Sequence, residues 1–182
     1  MAAKNRPMKP DSGFLFVSGG LFKRAPLFPE SEAAKILLEM LEAYRERYAF
    51  RVHAYAVMPD HYHFLIWFPE EGDFRGFLRD FKSLAAKKIL GWLKVYDSQL
   101  LRRFLLPGER RRQKDPRYCI LQHGNYVKAL RDGEAAVKVI EYIHMNPVRA
   151  GLASSADQYE FSSAGFFMRK AESIVKVEWI ES

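Results

Sequence analysis

The chain has 182 residues, 48% of them hydrophobic and 14% aromatic, which suits one domain with a sizeable core. No run of about 18 apolar residues is present, so no membrane span is expected; the polar, proline-bearing stretch 1–12 lacks a secretory signal's apolar segment and is expected to be a disordered tail. The lone cysteine, Cys119, excludes an internal disulfide and fits a reducing cytosol, while a net charge of +7 favours partners rich in phosphate, whose neutralisation releases condensed counterions.

The first element is an apolar and aromatic run, Phe14 to Phe22, which reads as a strand bent at Gly19-Gly20. Pro26 and Pro29 mark a loop. From Glu30 to Tyr48, the apolar residues Ala34, Leu37, Leu38, Leu41 and Tyr44 recur at helical spacing, with Ser31 placed to cap the helix. Phe50 to Val57 alternates as a strand does, Pro59-Asp60 makes a turn, and His61 to Phe68 is the next strand. Glu71 to Trp92 is a second amphipathic helix, with Phe74, Phe77, Leu78 and Phe81 in its buried stripe. Arg75, Arg79 and Lys82 share another face, either merely solvated or tracking a phosphate backbone. The densest charge follows, in Arg102, Arg103, Arg110, Arg111, Arg112, Lys114 and Arg117, a basic loop too polar for a core. Tyr118 to Gln122 and Asn125 to Leu130 read as two strands. Gly133 to Asn146 is a third helix, striped by Ala136, Val139, Ile140 and Ile143, and turns lead to a last strand at Ile174 to Ile180.

The order β-α-β-β-α-β with a trailing helix predicts an α+β fold, a ferredoxin-like (RRM-like) antiparallel sheet with helices packed on one face. One domain is expected over 13–165, with a basic loop at about 91–117 and a C-terminal extension over 166–182.

Two groups of residues carry chemistry. On a strand, His61 and His63 project to the same side while Tyr62 faces the other, so both imidazoles can chelate one divalent ion; a plain surface or core-edge pair is the alternative. Tyr142 and Asn146 are four residues apart and share a helix face. A tyrosine there can attack phosphorus and the Asn146 amide can complete the metal site. Equally, Tyr142 can be a half-buried helix residue and Asn146 the cap of a short turn from Pro147 to Ala150.

The segment Ala56-Val57-Met58-Pro59-Asp60-His61-Tyr62-His63-Phe64-Leu65-Ile66 resembles the HUH strand of the REP-associated tyrosine transposases and their single-tyrosine insertion-sequence relatives. Tyr142-Ile143-His144-Met145-Asn146-Pro147-Val148-Arg149-Ala150-Gly151-Leu152 resembles their nucleophile helix. Tyr159-Glu160-Phe161-Ser162-Ser163 and Phe81-Lys82-Ser83 match weaker segments of the same family. The resemblance implies that Tyr142 is the nucleophile, that His61, His63 and Asn146 are metal ligands, and that His144 packs or contacts phosphate. Two features depart from the pattern: Leu121 to Lys128 keeps only part of the relatives' motif before the nucleophile helix, and the basic loop is longer.

The function implied is cleavage and rejoining of single-stranded, hairpin-bearing DNA through a 5′-phosphotyrosine, with Mg²⁺ or Mn²⁺ as cofactor. Arg75, Arg79, Lys82, Arg149 and the basic-loop residues are the candidate DNA contacts. The resemblance admits a homodimer and implies a cytoplasmic, nucleoid-associated enzyme. Two rivals remain open: a domesticated or inactive relative that grips hairpin DNA without cutting it, and a phosphodiesterase that uses water.

Overall fold

A computed structural model describes residues 12–28, 31–106 and 117–180. Four strands form one sheet: β1 (Gly13–Gly20), β2 (Arg51–Met58), β3 (His61–Phe68) and β4 (Tyr126–Ala129), in the order β2-β3-β1-β4 with every pair antiparallel. Helix α1 (Ser31–Arg47) joins β1 to β2, and α2 (Phe74–Tyr96) with the one-turn α3 (Ser98–Leu101) follows β3. Helix α4 (Gly133–Arg149) follows β4, and the short α5 (Ala164–Arg169) lies in the tail. The expected antiparallel α+β sheet is what forms, with α1 and α2 packed together on one face.

Alternation along the strands sorts the core into two layers. Leu15, Val17, Val52, Tyr55, Val57, Tyr62, Phe64, Ile66 and Phe68 point to the face covered by α1 and α2. There they meet Leu37, Leu38 and Leu41 of α1 and Phe77, Phe81 and Ala85 of α2. Each buried phenylalanine contributes about 1.5–3 kcal/mol, and ring pairs such as Phe50–Phe77 and Tyr62–Phe64, both 4.6 Å apart, add about 0.5–1.5 kcal/mol. The trailing helix α4 lies on the other face, against Phe16, Ala54, Ala56 and Leu65. Alanines at 54 and 56 let the helix sit close to β2.

Two local features set the register around β3. The ladder shifts between Val52 and Ala54, so His53 is an extra residue and both His53 and Ala54 fall on the α4 face. Gly19 and Gly20 do not bend β1; they continue its ladder opposite Tyr62 and His61. The reason is steric: a Cβ on Gly19 would lie 2.2 Å from the Tyr62 ring, whose buried body crosses that position.

Several boundaries differ from the sequence expectation. Helix α2 starts at Phe74, because the Asp73 carboxylate accepts from the Gly76 amide at 2.8 Å, and it runs on to Tyr96. The side chain of Ser31, the expected cap of α1, lies outside the described residues. Tyr118 to Gln122 is not a strand, only isolated bridges from Tyr118 to Leu105 and from Leu121 to Leu21. Ile174 to Ile180 likewise makes one parallel bridge, Val177 to Val52, backed by the Glu178 amide donating to Val52 O at 2.9 Å. Helix α4 does not stop at Asn146; it passes through Pro147 to Arg149.

Candidate active site

The site lies on the α4 face of the sheet. His61 and His63 stand there side by side, their ring centroids 4.8 Å apart. Their antiparallel neighbours on β1 are Gly20 and Ser18, both small residues. His63 stacks on Phe16 at 5.4 Å. Tyr142 reaches over from α4 and meets both rings edge-on, at 5.8 Å from His63 and 6.0 Å from Phe16. Its ring is 42% exposed, so it borders solvent rather than filling the core. Buried Ile143 anchors the next position of the helix, which fixes the angle at which Tyr142 leaves it.

Asn146 sits one turn on. Its amide nitrogen donates to the Tyr142 carbonyl at 2.8 Å, and because the helix continues past it, it does not cap a separate turn. The Arg149 guanidinium lies 5.9 Å from the Tyr142 ring centroid, within reach of a cation–π contact. Sheet and helix thus bring together the histidine pair, the tyrosine and one arginine from segments far apart in sequence.

The histidine pair fits a divalent ion by its chemistry. His63 is buried and its Nδ1 has no hydrogen-bond partner in the protein. Burial first, and then His61 and Arg24, push its pKa down to about 4, so the ring is neutral near pH 7 and keeps a lone pair to donate. His61 carries the opposite arrangement: its Nδ1 is 2.6 Å from an Asp60 carboxylate oxygen. Among the described residues, no group of three or more His, Cys, Asp and Glu side chains converges as a metal cage. Two neutral imidazoles bring no charge of their own, leaving the negative charge for a phosphate to bring.

Other expected residues fall elsewhere. His144 points into the protein, where it is buried, bonds the Ser163 hydroxyl at 2.9 Å and packs on Phe167; it is a packing residue. Lys82 donates to the carbonyls of Gln122 and, at 2.7 Å, Gly124, so it ties α2 to the approach of β4. Arg75 and Arg79 share its helix, which packs on the far face of the sheet from the histidines, and Arg79 pairs with Asp80 at 2.9 Å. Arg102, Arg103 and Arg117 are exposed. Arg110, Arg111, Arg112 and Lys114 lie outside the described residues. The sequence reading missed Phe16, the ring that contacts both His63 and Tyr142, and the Asp60 and Arg24 partners of His61. Asp60 had a signal, its place beside His61; Arg24 had none.

Residues 22–109 match the profile of the IS200-like transposases, a span that includes both histidines and ends before α4. A Haemophilus influenzae protein assigned as a REP-associated tyrosine transposase is 25% identical over 154 residues, 81% of each chain. The solved structure of a REP-associated tyrosine transposase bound to a REP hairpin aligns with a TM-score of 0.64 and 18% identity, covering 100% of this chain and 94% of that one. Among the described residues, no helix is long and apolar enough to cross a membrane. The chain is thus similar to the IS200-like transposases over residues 22–109, and it shares the fold of the solved REP-associated tyrosine transposase.

Proposed function

We propose that the chain is a transposase that cuts and rejoins single-stranded, hairpin-bearing DNA through a covalent bond to Tyr142, with His61, His63 and Asn146 holding Mg²⁺ or Mn²⁺. The observation that carries the reading is the half-exposed Tyr142 ring set 5.8 Å from His63 and next to an arginine. When bound, the metal would supply Lewis-acid stabilisation of charge on the phosphate oxygens.

In this reading the Tyr142 oxygen attacks phosphorus in line with the leaving group. The phosphorus–O3′ bond breaks, the phosphate stays on tyrosine as a 5′-phosphotyrosine, and the departing oxygen takes a proton to become a 3′-hydroxyl. Because the phosphoester is conserved, a 3′-hydroxyl can reverse the step and join DNA without ATP. Arg149 is the cation beside the tyrosine available to the non-bridging oxygens. The substrate is single-stranded at the cut, since duplex stacking would hold the phosphate away from a site set against the sheet. The relative solved with a REP hairpin supports a hairpin as the recognised element. Arg102, Arg103, Arg117 and the basic-loop residues Arg110, Arg111, Arg112 and Lys114 would track its backbone, giving affinity more than sequence choice.

The test is adduct formation. With Mn²⁺ and a hairpin oligonucleotide carrying a single-stranded flank, the protein should form a covalent complex that survives denaturation. Tyr142→Phe should bind the same DNA and form none. A nucleotide mapped by mass spectrometry to another tyrosine would move the active site, and cleavage without any adduct would indicate water as the nucleophile.

A further inference from the structure

The chain after β1 does more than lead into α1. It wraps the Pro59-Asp60 turn: the Leu21 amide donates to Asp60 O at 2.8 Å, and the Leu27 and Phe28 amides donate to Pro59 O at 3.0 and 2.9 Å. Inside this wrap, Lys23 and Arg24 both stand at φ 55°, a left-handed conformation that side-chain-bearing residues seldom adopt in succession. The excursion delivers Arg24 to the turn, where its Nε lies 2.7 Å from Asp60 Oδ2. The other carboxylate oxygen, Oδ1, lies 2.6 Å from His61 Nδ1. Gly20 is paired with His61 across the ladder, and Arg24 Nη1 lies 3.4 Å from where its Cβ would stand, so the guanidinium packs beside this position.

We infer that Asp60 and Arg24 are positioning residues that set the ring orientation and tautomer of His61, so that His61 presents its Nε2 lone pair to the divalent ion. The inference rests on the two-histidine metal site proposed above. An ionised carboxylate can only accept, so the proton of a neutral His61 belongs on Nδ1. Arg24 Nη2 also approaches Nδ1, at 3.4 Å, but that contact is at the limit of a hydrogen bond and the 2.6 Å contact decides. Arg24 holds the carboxylate through its second oxygen and so prevents its rotation away from the ring. The two histidines are therefore oriented by different means. His63 is held by stacking on Phe16, with no hydrogen bond at Nδ1, and His61 by a carboxylate–imidazole bond. Carboxylates in this relation fix the tautomer of metal-binding imidazoles and raise their basicity.

The experiment reads the tautomer directly, by ¹⁵N NMR of the full-length, metal-free protein at a pH where His61 is neutral. The wild type should show His61 protonated on Nδ1. Asp60→Ala should lose that preference; Asp60→Asn, whose amide oxygen still accepts, should restore it. Calorimetry with Mn²⁺ alone should show affinity falling about 10- to 100-fold in Asp60→Ala, with substantial rescue in Asp60→Asn. Arg24→Ala should weaken binding by less than Asp60→Ala, and wild-type affinity there would remove Arg24 from the pair. A wild-type His61 protonated on Nε2, or undiminished Mn²⁺ affinity in Asp60→Ala, would overturn the inference. The metal reading fails separately: His61→Ala binding Mn²⁺ as the wild type does would refute the ligand assignment, while the tautomer measurement would still test what Asp60 does to the ring.

Discussion

Gly19 and Tyr62 face each other across β1 and β3, and the space between them holds no additional carbon. A Cβ at residue 19 would lie 2.2 Å from both Cζ and Oη of Tyr62 and 2.7 Å from the Asn125 side-chain oxygen. Relief in Gly19→Ala requires the ring to move by about 1 Å to regain ordinary contact. That ring is fully buried, stacked on Phe64 at 4.6 Å and edge-on to Phe81 at 6.0 Å, so it cannot move alone. Overpacking of this kind costs about 1–3 kcal/mol, and losing the Tyr62–Asn125 hydrogen bond adds about 1 kcal/mol. A total of about 2–4 kcal/mol lowers the melting temperature by roughly 4 to 16 °C in a chain of this size. Because Tyr62 lies between His61 and His63, Mn²⁺ affinity should fall as well. Thermal unfolding followed by near-ultraviolet circular dichroism measures the first effect and calorimetry the second. The decisive comparison is with Tyr62→Val, which removes the ring and leaves only the flexible Asn125 side chain to shift: in that background Gly19→Ala should cost much less. A neutral Gly19→Ala, or a double variant whose losses simply add, would refute the packing argument.

Replacing His61 and His63 together with alanine should abolish Mn²⁺-dependent adduct formation while the fold survives, as checked by circular dichroism; unchanged cleavage would exclude the site. Neutralising Arg110, Arg111 and Arg112 should weaken single-stranded DNA binding and flatten its salt dependence by about 0.7 in log–log slope per lost phosphate contact. A wild-type slope would mean that these residues are only solvated. Burial lowers the His144 pKa from 6.5 to about 4, so the fold favours the neutral ring. Its contribution is complete above pH 6.5 and is lost as pH falls towards about 4, at no more than about 1.4 kcal/mol per pH unit. Urea unfolding should show a shallower acid decline in His144→Gln, and identical slopes would refute the assignment.

What the sequence made legible is what depends on local pattern. Strand β3 runs over the residues expected, His61 to Phe68, because alternation, a Pro-Asp turn and aromatic β-formers all agree there. The buried stripe of α2 follows its phenylalanines. The facing of His61 and His63 and the shared side of Tyr142 and Asn146 follow from strand and helix periods alone. Boundaries set by single contacts were harder to read: α2 starts at the Asp73 cap, and α4 continues through Pro147, where tertiary packing outweighs a local breaker. The bulge at His53 leaves no mark in composition. Arg24 reaches Asp60 through two left-handed residues in a loop, a long-range pairing for which neither residue carries a local signal.

The tail also has a part in keeping the molecule apart from its copies. Every residue of β2 after Arg51 is buried, yet β2 is the terminal strand of the sheet and would otherwise offer neighbouring molecules a row of unpaired amides on an apolar strand. Returning chain covers it: the Val57 amide donates to Phe161 O at 2.8 Å, Ser163 bonds the Tyr55 backbone, and Glu178 bonds Val52 O. Removing the segment after Tyr159 would uncover a hydrophobic template for strand addition, the usual route to amorphous or fibrillar self-association. Shortened versions of this chain should therefore fail first by aggregation, with the histidines and Tyr142 still encoded and the chemistry lost only with the fold.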